Sequence, residues 1–186
     1  MGDDDLDGRL AALVGRPMSS NGVTTGPDPV NQPMIRHWAA AFEDANPVYV
    51  DPVAAESSRF GEVVAPPLML QTWTMPTPMI TGIAERGGSP IESSRAAVLE
   101  LLDEAGFTAT LASNSEFDIV RYLRVGETVQ AATTLESVSE PKTTRLGEGR
   151  FVTWLTTYTV DGEVDGEIVG TQRFRILKFR PPQVPA

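Results

Sequence analysis

The residues of this chain best equipped for chemistry crowd into one stretch, Phe42-Glu43-Asp44-Ala45-Asn46-Pro47-Val48-Tyr49-Val50-Asp51, with Phe60-Gly61 and Ala65-Pro66-Pro67 close behind. Asp44 is a carboxylate that could move a proton, but alone it is half of an acid–base pair. Tyr49 does not complete the pair, because a phenol with a pKa of about 10 is a poor base near neutral pH. His37, the only histidine, sits seven residues before Asp44. On one helix the two lie about 10 Å apart, too far to share a water, so His37 reads as a surface or interface residue. On residue types alone the stretch also reads as a helix end. Asn46-Pro47 stops one helix, since the residue before proline is pushed out of the α region, and Asp51 caps the next.

A second group is Lys142, Arg145, Gly147, Gly149 and Arg150, in and beside the turn from Pro141 to Gly149. It is either a solvated hairpin or a site for phosphates, which an ammonium and exposed turn amides suit. A third is apolar: Trp73, Met75 and Met79 offer flat or adaptable surface to a rigid ring system.

The elements that must hold these groups change character at Gly106. Before it the pattern is helical. A short acidic helix covers Leu6 to Val14, behind an Asp3-Asp4-Asp5-Leu6-Asp7 head that reads as a solvated tail. A short strand is expected near Val23 to Thr25. Asn31 caps a helix whose apolar face is Met34, Ile35, Trp38, Ala41 and Phe42. Asp51-Pro52 opens a second helix, closed by Gly61. Pro66-Pro67 starts a third, apolar all round (Leu68, Met69, Leu70, Trp73) and cut short by Pro76 and Pro78. Residues 81–95, with Gly82, Gly87 and Gly88, read as a loop, and Leu99 to Glu104 as a helical turn or two. After Gly106, residues 107–120, 128–139, 150–160 and 167–179 read as strands. Val152, Trp154, Thr156, Tyr158 and Val160 form one face of the third. Gly126-Glu127 and Asp161-Gly162 are turns. Helices followed by antiparallel strands predict an α+β domain, residues 28–180, behind an acidic lead-in and loop of 1–27, and 181–186 have the composition of a Pro-rich linker, so the chain is expected to continue.

Composition narrows the function. The chain has 186 residues, 41% hydrophobic and 22% charged, which suits a single globular domain. Its formal charge of −10 argues against nucleic acid, whose binding requires neutralised phosphates. With no cysteine there is no thiol nucleophile, disulfide scaffold or cysteine-ligated zinc, and no metal site is expected. No secretory signal or membrane-spanning run is evident, so the cytoplasm is the expected location.

The first stretch resembles the signature of the MaoC-like, or (R)-specific, enoyl-CoA hydratases, Asp-x-Asn-Pro-aliphatic-His-x-Asp, through Asp44, Asn46, Pro47, Val48 and Asp51. Phe60-Gly61 and Ala65-Pro66-Pro67 extend the match, and Tyr49 stands where the family has its catalytic histidine. The second half is similar to the family's non-catalytic module through Arg121-Tyr122-Leu123-Arg124-Val125-Gly126-Glu127 and Gly147-Glu148-Gly149-Arg150-Phe151. The resemblance implies a hot-dog fold, an antiparallel sheet wrapped around a shortened central helix. It implies a subunit with no catalytic residue of its own, whose dyad positions Asp44 and Tyr49, with Asn46, are vestigial. A smaller hot-dog partner would supply the Asp/His pair that adds water to an enoyl thioester, and coenzyme A would enter only as part of the substrate. Lys142 takes the position of a coenzyme A-contacting lysine, with Arg145, Gly147, Gly149 and Arg150 beside it. A His-Gly pair of the family is replaced by Ala112-Ser113, leaving Asn114 as a substitute contact. The Pro66-Pro67 helix start keeps a structural role only. Within the family the likeness is greatest to the large subunits of actinobacterial steroid side-chain hydratases, through residues 28–35, 46–51, 64–67 and 173–179. That implies a steroid acyl-CoA substrate, a cleft at Trp73, Met75 and Met79, and a thiolase-like aldolase docked through a C-terminal domain. The rival readings are an acyl-CoA-binding or scaffold subunit without hydratase role, and a self-sufficient homodimeric hydratase.

Overall fold

The β-branched and aromatic run after Gly106 folds as long antiparallel strands, and the described helices before it pack on one face of them. The structure is a computed structural model, and it describes residues 3–19, 22–78, 80–82, 96–160 and 166–181. The sheet has six strands: β1 Val23–Thr25, β2 Ala109–Ile119, β3 Val129–Val138, β4 Lys142–Thr144, β5 Gly147–Val160 and β6 Glu167–Phe179. Their order is β1-β3-β5-β6-β2, with β4 alongside β5, and every pairing is antiparallel. The sequence expected only a turn from Lys142 to Gly149. It is a hairpin in itself, with Lys142 opposite Gly149 and Thr144 opposite Gly147. Gly147 sits at φ +119, where a Cβ would lie 2.4 Å from the Arg180 carbonyl oxygen, so only glycine fits. The Asp161-Gly162 turn and residues 83–95 lie outside the described residues.

Helices α1 Asp3–Ala11, α2 Gln32–Ala41, α3 Pro52–Glu56 and α4 Ala97–Glu104, with a 3₁₀ helix at Pro67–Thr74, supply the cover. They make two apolar clusters on the same side of the sheet. Ile35, Tyr49, Met69, Leu70 and Trp73 pack on Val129, Tyr158, Val160 and Val169. Leu6, Leu10, Val98, Leu102 and Phe107 pack on Leu135, Val152 and Ile176. Between them runs a polar belt. The hydroxyls of Thr133 and Thr156 share a hydrogen bond of 2.9 Å. Buried Gln172 accepts from the Tyr158 hydroxyl at 2.8 Å and donates to Gln71 and Ser115 at 3.0 and 2.8 Å. Each polar group of the Gln172 amide is thereby satisfied, which is what makes its burial tolerable.

Three local expectations are corrected. The acidic head is no free tail: α1 begins at Asp3, and Asp7 reaches Arg150 at 2.7 Å. The apolar face of α2 turns inward through Ile35 and Ala39, whereas Met34 and Phe42 are exposed, and the helix ends at Ala41, short of Asn46-Pro47. The Pro67–Thr74 helix, read from the sequence as apolar all round, is buried through Met69, Leu70 and Trp73 but leaves Leu68 exposed.

Two outcomes follow from this packing. Arg150 is 3% exposed and Asp7 is its carboxylate, so Asp7→Ala leaves a buried charge unpaired. Because Asp7 is itself partly solvated, the loss should be about 2 kcal/mol, below the usual range for a fully buried pair, read from urea unfolding; an unchanged midpoint would refute it. Burial raises the pKa of Tyr158 well above its ordinary value. The folded state therefore holds a proton that the unfolded chain releases above about pH 10. The contribution of Tyr158 should be constant through neutral and mildly alkaline pH, and stability should fall as pH rises beyond about 10, measured as the unfolding midpoint against pH.

Candidate functional site

Asp44, Asn46 and Tyr49 do converge, and their local backbone explains how. After α2 the chain passes through Glu43 at φ 53, a left-handed conformation costly for a residue with a Cβ. This reversal sets the Asp44 Oδ1 to accept from the Asn46 amide at 3.1 Å. Asn46 in turn caps the 3₁₀ turn Pro47–Tyr49, its Oδ1 accepting from Val48 N at 3.3 Å. Tyr49 is carried inward to 5% exposure. Its phenol is pushed above the ordinary value by burial and then by the proximity of Tyr122 and Asp44, while a hydrogen bond with Asn46 pulls the other way. At neutral pH it is a neutral hydroxyl within a Tyr49–Tyr122–Asn46 group. It cannot take a proton from water there. Asp51, matched to the end of the signature, is spent on capping α3 through Val53 N and Ala54 N.

Tyr122 is the member of this group that sequence reasoning missed. Its ring stacks on Phe60 at 4.8 Å, and a bridge between Val64 and Arg124 joins their two segments. The rest of the Arg121–Glu127 motif is structural. Arg121 grips Glu167 at 2.7 Å and Glu127 at 2.8 Å, and Glu127 accepts from the Arg124 amide at 2.7 Å. The only signal for Tyr122 was its place within that motif.

The second group lies at the other end of the sheet. Lys142 and Arg145 are exposed on the β4–β5 hairpin. Lys142 stands in register with Gly149, Phe179 and Ala109, whereas Tyr122 follows the far end of β2. Ten residues of strand, about 33 Å, separate the two ends. The hairpin therefore cannot serve this chain's own Asp44–Tyr49 group. Arg150 is corrected outright: it is buried, paired with Asp7 and set over the Phe107 ring at 5.9 Å, so it offers nothing at the surface. Gly149 is explained by packing, since a Cβ would meet Leu177 Cδ1 at 2.7 Å. Asn114 is exposed on the outer strand β2, beside a register shift.

The apolar pair separates in a third direction. Trp73 is buried, with its indole nitrogen unpartnered among the described residues, and Met75 is exposed. Both line a groove of about 410 Å³ with Pro27, Met34, Thr72 and Pro76. Gly26 lets the backbone there approach the Trp73 carbonyl, where a Cβ would lie at 2.4 Å. The groove thus flanks β1, the sheet edge opposite β2, four strand spacings or about 19 Å away. Met79 lies outside the described residues. Among the described residues, no three His, Cys, Asp or Glu side chains are placed to hold a metal ion, and no helix is long and apolar enough to cross a membrane.

Comparison with known proteins gives this geometry a family. Residues 13–167 match the FAS1-like, dehydratase domain region. The chain is 44% identical over 181 residues to the probable enoyl-CoA hydratase alpha subunit of Thermomonospora curvata, covering 97% of this chain and 54% of that protein. It is 40% identical over 159 residues to the 3-oxo-4,17-pregnadiene-20-carboxyl-CoA hydratase alpha subunit of Mycobacterium tuberculosis, covering 86% and 48%. The chain thus spans about half the length of the curated relatives it matches. Its backbone superposes on a chain of the ChsH1-ChsH2 complex from M. tuberculosis with a TM-score of 0.79 and 35% identity, covering 99% of this chain and 96% of that one. The (R)-hydratase PhaJ1 of Pseudomonas aeruginosa, at 15% identity and a TM-score of 0.55, covering 93% of this chain and 90% of its own, shares the hot-dog fold alone. A sheet covered on one face by a short central helix, with a dehydratase signature that carries tyrosine at its histidine position, belongs to the MaoC-like, FAS1-like dehydratase-domain family.

Proposed function

We propose that this chain is the non-catalytic hot-dog half of a heteromeric enoyl-CoA hydratase acting on a steroid side-chain thioester. The observation that carries the proposal is the state of position 49. A buried neutral phenol, its pKa raised by burial and by the proximity of Tyr122 and Asp44, fills the place of the proton-transferring imidazole. Water addition then needs a base from elsewhere. A second hot-dog subunit with an intact Asp/His pair supplies it.

The free edge suits that partner. β2 runs for 11 residues at the end of the sheet, with most of its side chains exposed, including Leu111 at 49%. An unpaired strand of this length is a template for another strand. Two similar subunits joined there about a two-fold axis run their β2 strands antiparallel. Each subunit's 44–49 segment, beyond the C-terminal end of its own β2, then faces the N-terminal half of the other's. The partner's dyad would thus lie beside Leu111, Ala112, Ser113 and Asn114, at the same end as Lys142 and Arg145. These residues read as this chain's contribution to the coenzyme A side of the site. The Trp73–Met75 groove, on the opposite edge, is offered as acyl surface only if the acyl group crosses the sheet. The names of the relatives, both hydratase alpha subunits and one a steroid-carboxyl-CoA hydratase, support the reaction and the ring-bearing substrate. Docking of a thiolase-like aldolase and a cytoplasmic location complete the proposal.

The second reading is a binding or scaffold subunit without a part in hydration, favoured by the absence of a working dyad. Co-purification with the products of neighbouring genes, followed by a hydration assay, separates the two. The expected result is no turnover by the chain alone, turnover by the pair, and a higher kcat/KM for a steroid enoyl-CoA than for crotonyl-CoA. Turnover by the chain alone that is lost in Asp44→Asn would refute the proposal. Leu111→Arg should abolish co-purification while leaving the circular dichroism spectrum unchanged.

Lys142→Ala tests the coenzyme A side. A contact with a remote phosphate is made equally in ground and transition states, so KM should rise with kcat unchanged. One exposed charge-assisted hydrogen bond is worth about 1 kcal/mol, a rise of roughly fivefold. An unaltered KM at low salt would remove Lys142 from the site.

A further inference from the structure

Beside the Asp44–Tyr49 group the structure keeps a cleft that no part of the hydration scheme uses. It holds about 420 Å³, within the range of small-molecule sites, between Arg59, Phe60 and Val64 on one wall and the segment from Ile119 to Arg124 on the other. Its walls are fixed. The Ala65 amide donates to the Leu123 carbonyl at 2.9 Å, and Arg121 is locked between Glu127 and Glu167. Aromatic and cationic groups are layered along it: the Arg59 guanidinium lies 4.8 Å from the Phe60 centroid, and Phe60 stacks on Tyr122 at 4.8 Å. Val120, 67% exposed, adds apolar surface at the rim.

The charges in this cleft select among ligands. Arg121 is matched by two carboxylates, and Arg124 by Glu62 at 3.2 Å. Arg59 has the Phe60 ring and, among the described residues, no carboxylate. It is the cation of this cleft with no carboxylate partner among the described residues, exposed and open to an anion. Placed over the Phe60 ring, it offers an N–H fork for a bidentate anion. A triphosphate or diphosphate would bring more charge than this single cation offsets, onto a protein of net charge −10. A carboxylate on a flat hydrocarbon body matches both the charge and the lining.

We propose that this cleft is a binding-only site for a flat, apolar monocarboxylate, with Arg59 pairing the carboxylate and the Phe60–Tyr122 stack and Val120 holding the body. Occupancy there sets the ligand against Tyr122, in a cleft whose lining holds no imidazole or carboxylate, so the ligand is bound and not turned over. The inference rests on this chain's own residues and not on the hydratase reading. Loss of hydration leaves it standing, and its failure leaves hydration untouched.

The test is isothermal titration calorimetry of 2-naphthoate into the full chain, in whatever assembly it purifies, with stoichiometry counted per chain. One saturable site is expected. Arg59→Gln should weaken it by roughly tenfold or more, as should replacing the probe by neutral 2-naphthylmethanol, because a charge-assisted fork is lost in both cases. Arg16→Gln, an exposed arginine elsewhere that donates to Ala12, is the control and should bind as the parent does. Arg59 is at the surface, so unfolding is not expected, and an unchanged melting midpoint verifies that. The proposal is overturned by absence of saturable binding, by equal affinity for the neutral probe, or by an Arg59→Gln affinity within about twofold of the parent.

Discussion

A sheet of this width buries its inner face only if something lies across it, and here the central helix is too short for the task. Pro76 and Pro78 follow the Pro67–Thr74 helix at once, so no further turn can form in that direction. The cover is consequently divided. One piece comes from the segments around α2 and the 3₁₀ helix, the other from α1 and α4. The seam between them falls over Thr133, Thr156 and Gln172, and its polar groups are paired with one another and with Gln71 of the short helix. Gln172 ties Tyr158, deep in one cluster, to Ser115 on the outer strand and to Gln71 on the short helix. The helix that fails to span the sheet is thus anchored to it by an amide.

The same division separates the groups that a sequence reading places together. Lys142 sits at one end of the sheet, whereas Tyr49 belongs to the apolar cluster at the other end, which also takes in Trp73 from the β1 edge. Chemistry shared between Lys142 and Tyr49 in a single subunit is ruled out by strand geometry alone. The two-fold arrangement through β2 proposed above would turn that separation into complementarity, because each subunit's empty end would meet the other's occupied one.

Much of the fold was legible. The strands announced themselves through alternation, as in Val152, Trp154, Thr156, Tyr158 and Val160, and Asn31 and Asp51 were read correctly as caps because their side chains satisfy specific amides. What escaped was set by distant contacts. Nothing local to Arg150 says that Asp7 lies opposite it, and an arginine beside a Gly-rich turn looks like a surface group until α1 is seen on top of it. The β4–β5 hairpin hid behind turn residues, since Gly147 closes its tight turn at positive φ and Gly149 serves close packing against β6. At the site, Asp44 and Tyr49 were legible from their motif, whereas Tyr122, 73 positions further on than Tyr49, was joined to them only by folding.

The docking of α1 bears on where this domain begins. The stretch that matches the family, residues 13–167, leaves out α1 at one end and all of β6 beyond its first residue at the other. Leu6 and Leu10 are nevertheless buried against Phe107 and Val152, and Asp7 neutralises a guanidinium in the interior. The conserved-looking motif unit and the cooperative folding unit therefore have different borders. Gene fragments cut, fused or shuffled at the edges of the match would carry the recognisable signature and lack the parts that hold it together.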